Sequence, residues 1–268
     1  MRGGAQSSLV EATDGHFYVV KAVNNPQHRR ILINEWISSA ALHFLGIASP
    51  PVEIVEFSPD FLAANPDVYF RSGSSQLRPD PGWHFGSRFP CDPAKNPVYD
   101  FFPDALIEKI HNLNHFAGTL AFDKWLGNCA ARQAIFHRDR HEDQCQESMA
   151  HRLKTGFLAQ MIDNGQVFGG ATWQLMDSSI HPFHPSSAVY RNFRDLEDFE
   201  PWLSRIVNFP VGIFEQAAAL IPKEWLAGDE EALAVLLAQA RRRRDQVPNL
   251  LEAAIGARTI PREYKRRR

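Results

Sequence analysis

The spacing of apolar side chains changes period several times along this chain. Ser8–Ala12 and His16–Val23 are short runs of high β-propensity on either side of Asp14-Gly15, a two-residue hairpin signal. Arg29–Leu45 then places Ile33, Ile37, Ala40, Ala41 and Phe44 at helical spacing, and Gly46 ends the pattern. Val52–Phe57 reads as a further strand. Prolines concentrate between Pro50 and Pro103, with Gly73, Gly82 and Gly86 among them, so that stretch predicts loops and short strands. Asp104–Leu126 carries Leu106, Ile110, Leu113, Phe116, Ala117 and Leu120 as one helical face. Ala134–Phe136 and Phe157–Ile162 predict two short strands around a polar tip rich in His and Arg. Helices follow near Asp195–Ile206, Gly212–Leu220 and Asp229–Arg244. The sum is α+β in two lobes: a small β-rich N-lobe with a Pro-rich connection over residues 1–103, and a larger helical C-lobe over 104–268. One domain spans 1–268.

Composition narrows what such a chain can do. Of 268 residues 44% are hydrophobic, enough for a sizeable core, and 29 Lys+Arg against 31 Asp+Glu leave a net charge of -2. Neutralising a phosphate backbone needs a basic excess, so nucleic acid is not the expected partner. The 3 cysteines, Cys91, Cys129 and Cys145, form no CxxC pair, which argues against both a disulfide framework and a thiolate zinc site. Ala232–Ala240, the longest apolar run, is about half of what a membrane-spanning helix needs. The N-terminal sequence lacks a secretory apolar core. A reduced, cytoplasmic protein without a membrane anchor is expected.

Several residues could carry chemistry. Gly3-Gly4-Ala5-Gln6-Ser7-Ser8 is small and flexible enough for backbone N–H groups to approach phosphate oxygens, although a Gly-rich opening is also what a flexible terminus looks like. Lys21 interrupts an apolar strand, and Glu35 lies in the helix that follows. A strand Lys paired with a helix Glu is how kinases hold the α- and β-phosphates; an exposed edge lysine is the simpler reading of Lys21 alone. Asp123 and Asn128 stand five apart, as in a kinase catalytic loop, where the Asp takes the hydroxyl proton and the Asn binds metal. Met161-Ile162-Asp163-Asn164-Gly165 puts Asp163 just after a buried strand, placed to hold Mg²⁺ on phosphate oxygens. Each signal is weak; their order along the chain is what counts. His111 and His115, four apart, lack the Glu of a metalloprotease helix and read as surface or capping groups. Arg241–Arg244 reads as the solvated end of a helix.

With those residues in view, the chain resembles the HipA-like branch of the protein-kinase-like fold. GGAQSS, FYVVKAVNNPQHRRILINE, HFGSRFP, FDKWLGNCAARQAIF and MIDNGQVF are similar to that family's ordered blocks, from residue 3 to about 170. The resemblance implies phosphoryl transfer dependent on ATP and Mg²⁺, with Gly4, Ala5, Gln6, Ser7, Lys21 and Glu35 around the phosphates. It further implies Asp123 as base, Asn128 and Asp163 on Mg²⁺, and Ser87, Arg88 and Phe89 as the hinge against which adenine stacks. The expected acceptor is a protein Ser/Thr hydroxyl. The chain departs from ordinary protein kinases in three places: the loop is not G-x-G-x-x-G, the metal motif is Asp-Asn-Gly, and no His-Arg precedes Asp123. The last two also resemble lipid-kinase-like relatives, which keeps a small-molecule or lipid headgroup open as acceptor. A nucleotide-binding module that works through protein contacts is the alternative from outside enzymology.

Overall fold

A computed structural model describes residues 6–72, 74–141, 154–176 and 182–256. The Asp14-Gly15 turn closes the expected hairpin of β1 (Ser8–Glu11) and β2 (Phe17–Lys21). Next come α1 (Arg30–Leu45), β3 (Val52–Phe57), the short α2 (Pro59–Ala64), the small hairpin of β4 (Phe70–Ser72) and β5 (Ser75–Leu77), and β6 (Gly82–Arg88). β1, β2, β6 and β3 form one antiparallel sheet in that order. β6, hidden in the Pro-rich stretch, therefore lies at the sheet's centre, with Lys21 opposite Phe85 and Ile54 opposite Phe85 on the other side.

Strand alternation gives the sheet two different faces. Val10, Tyr18, Val20, Phe57 and Leu62 fill a small cluster on one. Phe85 faces the main core from the other, and Lys21 shares that side with α1. Helix α1 is apolar nearly all round, with Ile31, Leu32, Ile33, Ile37, Ala41, Leu42 and Leu45 buried, because it lies between the sheet and the helical body.

The second half begins with β7 (Val98–Tyr99), a 3₁₀ turn over Asp104–Lys109, α3 (His115–Leu126), β8 (Gln133–His141) and β9 (Lys154–Ile162). β7, β8 and β9 form a second antiparallel sheet, in which Gln133 pairs with Ile162. The single helix expected over Asp104–Leu126 is thus broken in two. Ile110 bridges to Phe157, the His111 N–H donates to the Phe157 carbonyl (2.9 Å), and the Asn112 amide exchanges bonds of 2.8 and 2.9 Å with the backbone of Ala159. Residues 110–112 serve β9 as an extra edge, which a continuous helix could not do. Both strands also run longer than the apolar pattern indicated.

The rest is helical: α4 (Trp202–Val207), α5 (Val211–Ala219), α6 (Lys223–Leu226), α7 (Glu230–Arg243) and α8 (Val247–Gly256), with a 3₁₀ turn over Leu196–Phe199 where a longer helix was expected. Pro201 supplies no N–H to continue that turn, and α4 restarts after it. The arginines around the end of α7 are solvated only in part: Arg242 is exposed as expected, and the other three have partners. Arg243 is buried and donates to the Lys124 carbonyl (3.2 Å), Arg244 donates to the Phe209 carbonyl, and Arg241 pairs with Glu215. They bind carbonyls and a carboxylate of neighbouring elements. No helix among the described residues is long and apolar enough to cross a membrane.

Candidate active site

Three elements distant in sequence meet at Lys21. Its ammonium binds Glu35 Oε1 from α1 and Asp163 Oδ1 (2.7 Å) from the end of β9. Burial alone would lower the lysine pKa; the two carboxylates outweigh it and hold Lys21 above its ordinary value. Burial likewise pushes Asp163 up, but the Lys21 charge and hydrogen bond overcome it and leave that carboxyl below its usual range. The other Asp163 oxygen accepts from Gln133 Nε2 (2.7 Å). Lys21 is therefore not an edge lysine: it sits buried on an inner strand, held by acids on both sides.

The turn after Asp163 is built around α1. Glu35 accepts from the backbone N–H groups of Asn164 and Gly165, each at 3.0 Å. Its neighbour Asn34, fully buried, donates to the carbonyls of Gly165 (2.8 Å), Val167 and Gly170 (both 3.1 Å) and accepts from the Trp173 indole (2.8 Å). Gly165 is required by proximity, since a Cβ there would overlap Ile31 Cγ2. Asp163 itself adopts a left-handed conformation, φ 58° and ψ 59°. Asp tolerates that region better than most residues, and such backbone is found where surrounding structure fixes it for function.

Asp123 and Asn128 lie beside this centre, turned inward. Asp123 is 1% exposed, in the last turns of α3. Its Oδ2 accepts from Arg132 Nε (2.9 Å), and its Oδ1 from Arg132 Nη2 and from Asn128 Nδ2 (3.0 Å). Burial pushes this carboxyl up, opposed by Arg132 and Asn128. Asn128 Oδ1 is taken by the Ala130 N–H (3.0 Å). The five-residue spacing also has a local purpose: Gly127 ends α3 in the left-handed conformation, and the Asn128 N–H returns to the Asp123 carbonyl (2.9 Å). In this arrangement neither side chain presents a free oxygen to an incoming hydroxyl or metal.

The remaining expected residues are spread along the sheet. Ser87 lies two residues beyond Phe85, on the Lys21 face, whereas Arg88 points the other way and meets the His16 ring (2.8 Å). Phe89 follows β6 and its N–H donates to the Phe17 carbonyl (2.7 Å). Gln6 is bound at both ends of its amide to the Arg71 backbone, at 2.7 Å each, and Ser7 precedes β1. Gly4 and Ala5 lie outside the described residues. His115 accepts from the Ala48 N–H (2.9 Å) and crosses Trp202 edge-on, a packing and capping role.

Asn34, Arg132 and Gln133 were not singled out from sequence. Asn34-Glu35 was visible as two adjacent polar residues inside the apolar run Ile31–Ile37. Arg132 and Gln133 carried no such mark, since a polar pair before a strand is ordinary.

A divalent cation bridging phosphates is usually held by one or two carboxylates, the phosphates and water. Asp163 fits that demand, as its side chain is 28% exposed and pairs with the Lys21 ammonium. Among the described residues no group of three or more His, Cys, Asp or Glu could hold a metal without phosphates.

A two-lobed fold in which a strand Lys meets a helix Glu and a post-strand Asp is the protein-kinase-like class. Among solved structures, the crystal structure of the Golgi casein kinase with Mn/ADP bound matches it with a TM-score of 0.51, at 10% identity, covering 97% of this chain and 73% of that one. At that identity the likeness speaks for the fold. No curated protein matches the sequence. The sequence profile of the HipA-like kinases matches residues 1–253, and the chain belongs to that family of phosphoryl-transferring enzymes.

Proposed function

We propose that this protein transfers phosphate from Mg·ATP to a protein Ser/Thr hydroxyl, as a single kinase domain with its N-lobe over 1–103 and its C-lobe over 104–268. The observation that carries this is the Lys21–Glu35–Asp163 junction: a cation fixed by an acid from a helix, beside a carboxylate that keeps partial access to solvent. Lys21 would bind phosphate oxygens, and Glu35 keeps it charged and aimed. Asp163 and the phosphates would hold Mg²⁺, which when bound supplies charge neutralisation at the transferring phosphate. Ser87–Phe89, where β6 leaves the sheet, would line the adenine end. Positioning and electrostatics do most of the work in such a transfer. The thiols of Cys91 and Cys129, both free, suit a reducing, cytoplasmic setting.

The inward-facing Asp123 and Asn128 favour a second reading, a nucleotide-binding module without transfer, because a buried carboxylate with both oxygens bonded is out of reach of an acceptor hydroxyl. Incubation with γ-labelled ATP and Mg²⁺, with and without cell lysate, followed by mass mapping of the label, separates the two. Label on a Ser or Thr supports the kinase; ATP binding without label on any acceptor supports the module.

A further inference from the structure

The geometry points to Asp123 and Arg132 as a buried brace that sets the backbone of Asp163, so that Asp123 acts as a positioning residue and not as the base. The Arg132 guanidinium is 1% exposed and fully committed. Two of its nitrogens grip the Asp123 carboxylate, and the third, Nη1, donates to the Ile162 carbonyl (2.9 Å) and to Asn164 Oδ1 (2.8 Å). Ile162 and Asn164 are the residues on either side of Asp163. One guanidinium thus clamps both flanks of a residue in the left-handed region, while Glu35 holds the next two N–H groups from the opposite side. Helix α3 anchors the assembly through Asp123, whose place is fixed by the Gly127 turn and the Asn128 amide.

The chemistry favours this over proton transfer. A base must reach the acceptor hydroxyl, and this carboxylate is sealed under protein with both oxygens engaged. Removing either member of a buried pair strands a charge, so the pair is held for what it fixes in place. What it fixes is the direction in which Asp163 offers its oxygens between Lys21 and solvent.

This inference rests on reading Asp163 as the metal-facing carboxylate, and its test has a readout that does not. Three variants are compared with wild type: Asp123→Asn, Asn164→Ala, and the double Asp123→Leu/Arg132→Met, which replaces the charged pair by apolar groups of similar bulk. Hydrogen exchange at the Asn164 and Gly165 amides is measured without nucleotide, and ATP affinity is measured with and without Mg²⁺. The brace predicts exchange faster by roughly tenfold or more in all three, the equivalent of one hydrogen bond to a charged group. It also predicts weaker Mg·ATP binding with metal-free ATP binding unchanged. Unchanged exchange at both amides in folded Asn164→Ala overturns it, as does an Asp123→Asn variant that keeps wild-type exchange and Mg·ATP affinity and loses only transfer. Should wild type bind no ATP at all, the kinase reading fails while the exchange result still decides the brace; should the double variant not fold, Asn164→Ala decides alone.

Discussion

Replacing Lys21 by methionine keeps the bulk of the side chain and removes the ammonium shared by two acids. Glu35 is then a carboxylate buried with its strongest partner gone, and Asp163 loses its 2.7 Å contact. Breaking a buried pair from one side costs about 3–5 kcal/mol. The lower end applies here. Glu35 keeps the N–H bonds of Asn164 and Gly165, and Asp163 keeps Gln133 and partial access to water. At about 3 kcal/mol and roughly 2–4 °C per kcal/mol for a chain of this size, the melting temperature should fall by about 6–12 °C. The pH dependence should also flatten at the acid end. In wild type the depressed Asp163 contributes stability that is present above its unfolded value and is lost as pH falls through the lower folded value. In Lys21→Met the Lys21 part of that contribution is gone, so the variant's stability should fall less than that of wild type as pH drops toward 4. Lys21→Met/Glu35→Gln should recover much of the loss. Thermal melts of wild type and the two variants between pH 4 and 8 test this. A single variant within 0.5 kcal/mol of wild type at all pH values would refute the buried-junction reasoning.

Other outcomes follow from the same geometry. His84 is fully buried, accepts from the Val23 N–H and donates to the Asp80 carbonyl, and burial brings its pKa down to about 4. Its neutral form therefore stabilises the fold above the unfolded pKa near 6.5, and that contribution, at most about 3 kcal/mol, is lost as pH falls toward 4; urea melts of His84→Gln should show a flatter slope over that window. Gly165→Ala should destabilise by about 1–3 kcal/mol through overlap with Ile31 and loosen the grip of Glu35 on the turn, read by melts alongside ATP titration. Asn34→Leu strands three carbonyls and an indole N–H, so stability should drop by more than about 3 kcal/mol, with protease cleavage appearing first within 165–173.

Much of this fold was legible because local signals and tertiary needs agreed. Asp14-Gly15 marked the first hairpin, the helical spacing after Arg29 marked α1, and Lys21, Glu35 and Asp163 stood out as charges among apolar neighbours. What stayed hidden was decided by partners far away in sequence. β6 was obscured because Gly82 and Gly86 weaken any strand signal, although Gly86 lies at the sheet centre between Val20 and Glu53. The break before α3 depends on Asn112 bonding to β9, 47 residues on. The Asp-x4-Asn spacing was legible but ambiguous, since a helix terminus closed by glycine produces the same interval as a catalytic loop. Only the position of Arg132 shows which way those side chains face.

The claim at the centre of this account is that Asp163 and Lys21 form the metal and phosphate end of a nucleotide site. Calorimetric titration of ATP into wild type and Asp163→Asn, each with and without Mg²⁺, tests it most directly. The account predicts that Mg²⁺ tightens ATP binding to wild type and that Asp163→Asn, still folded, loses that gain. Equal ATP affinity with and without metal in wild type, or a Mg²⁺ effect that survives in Asp163→Asn, would contradict it.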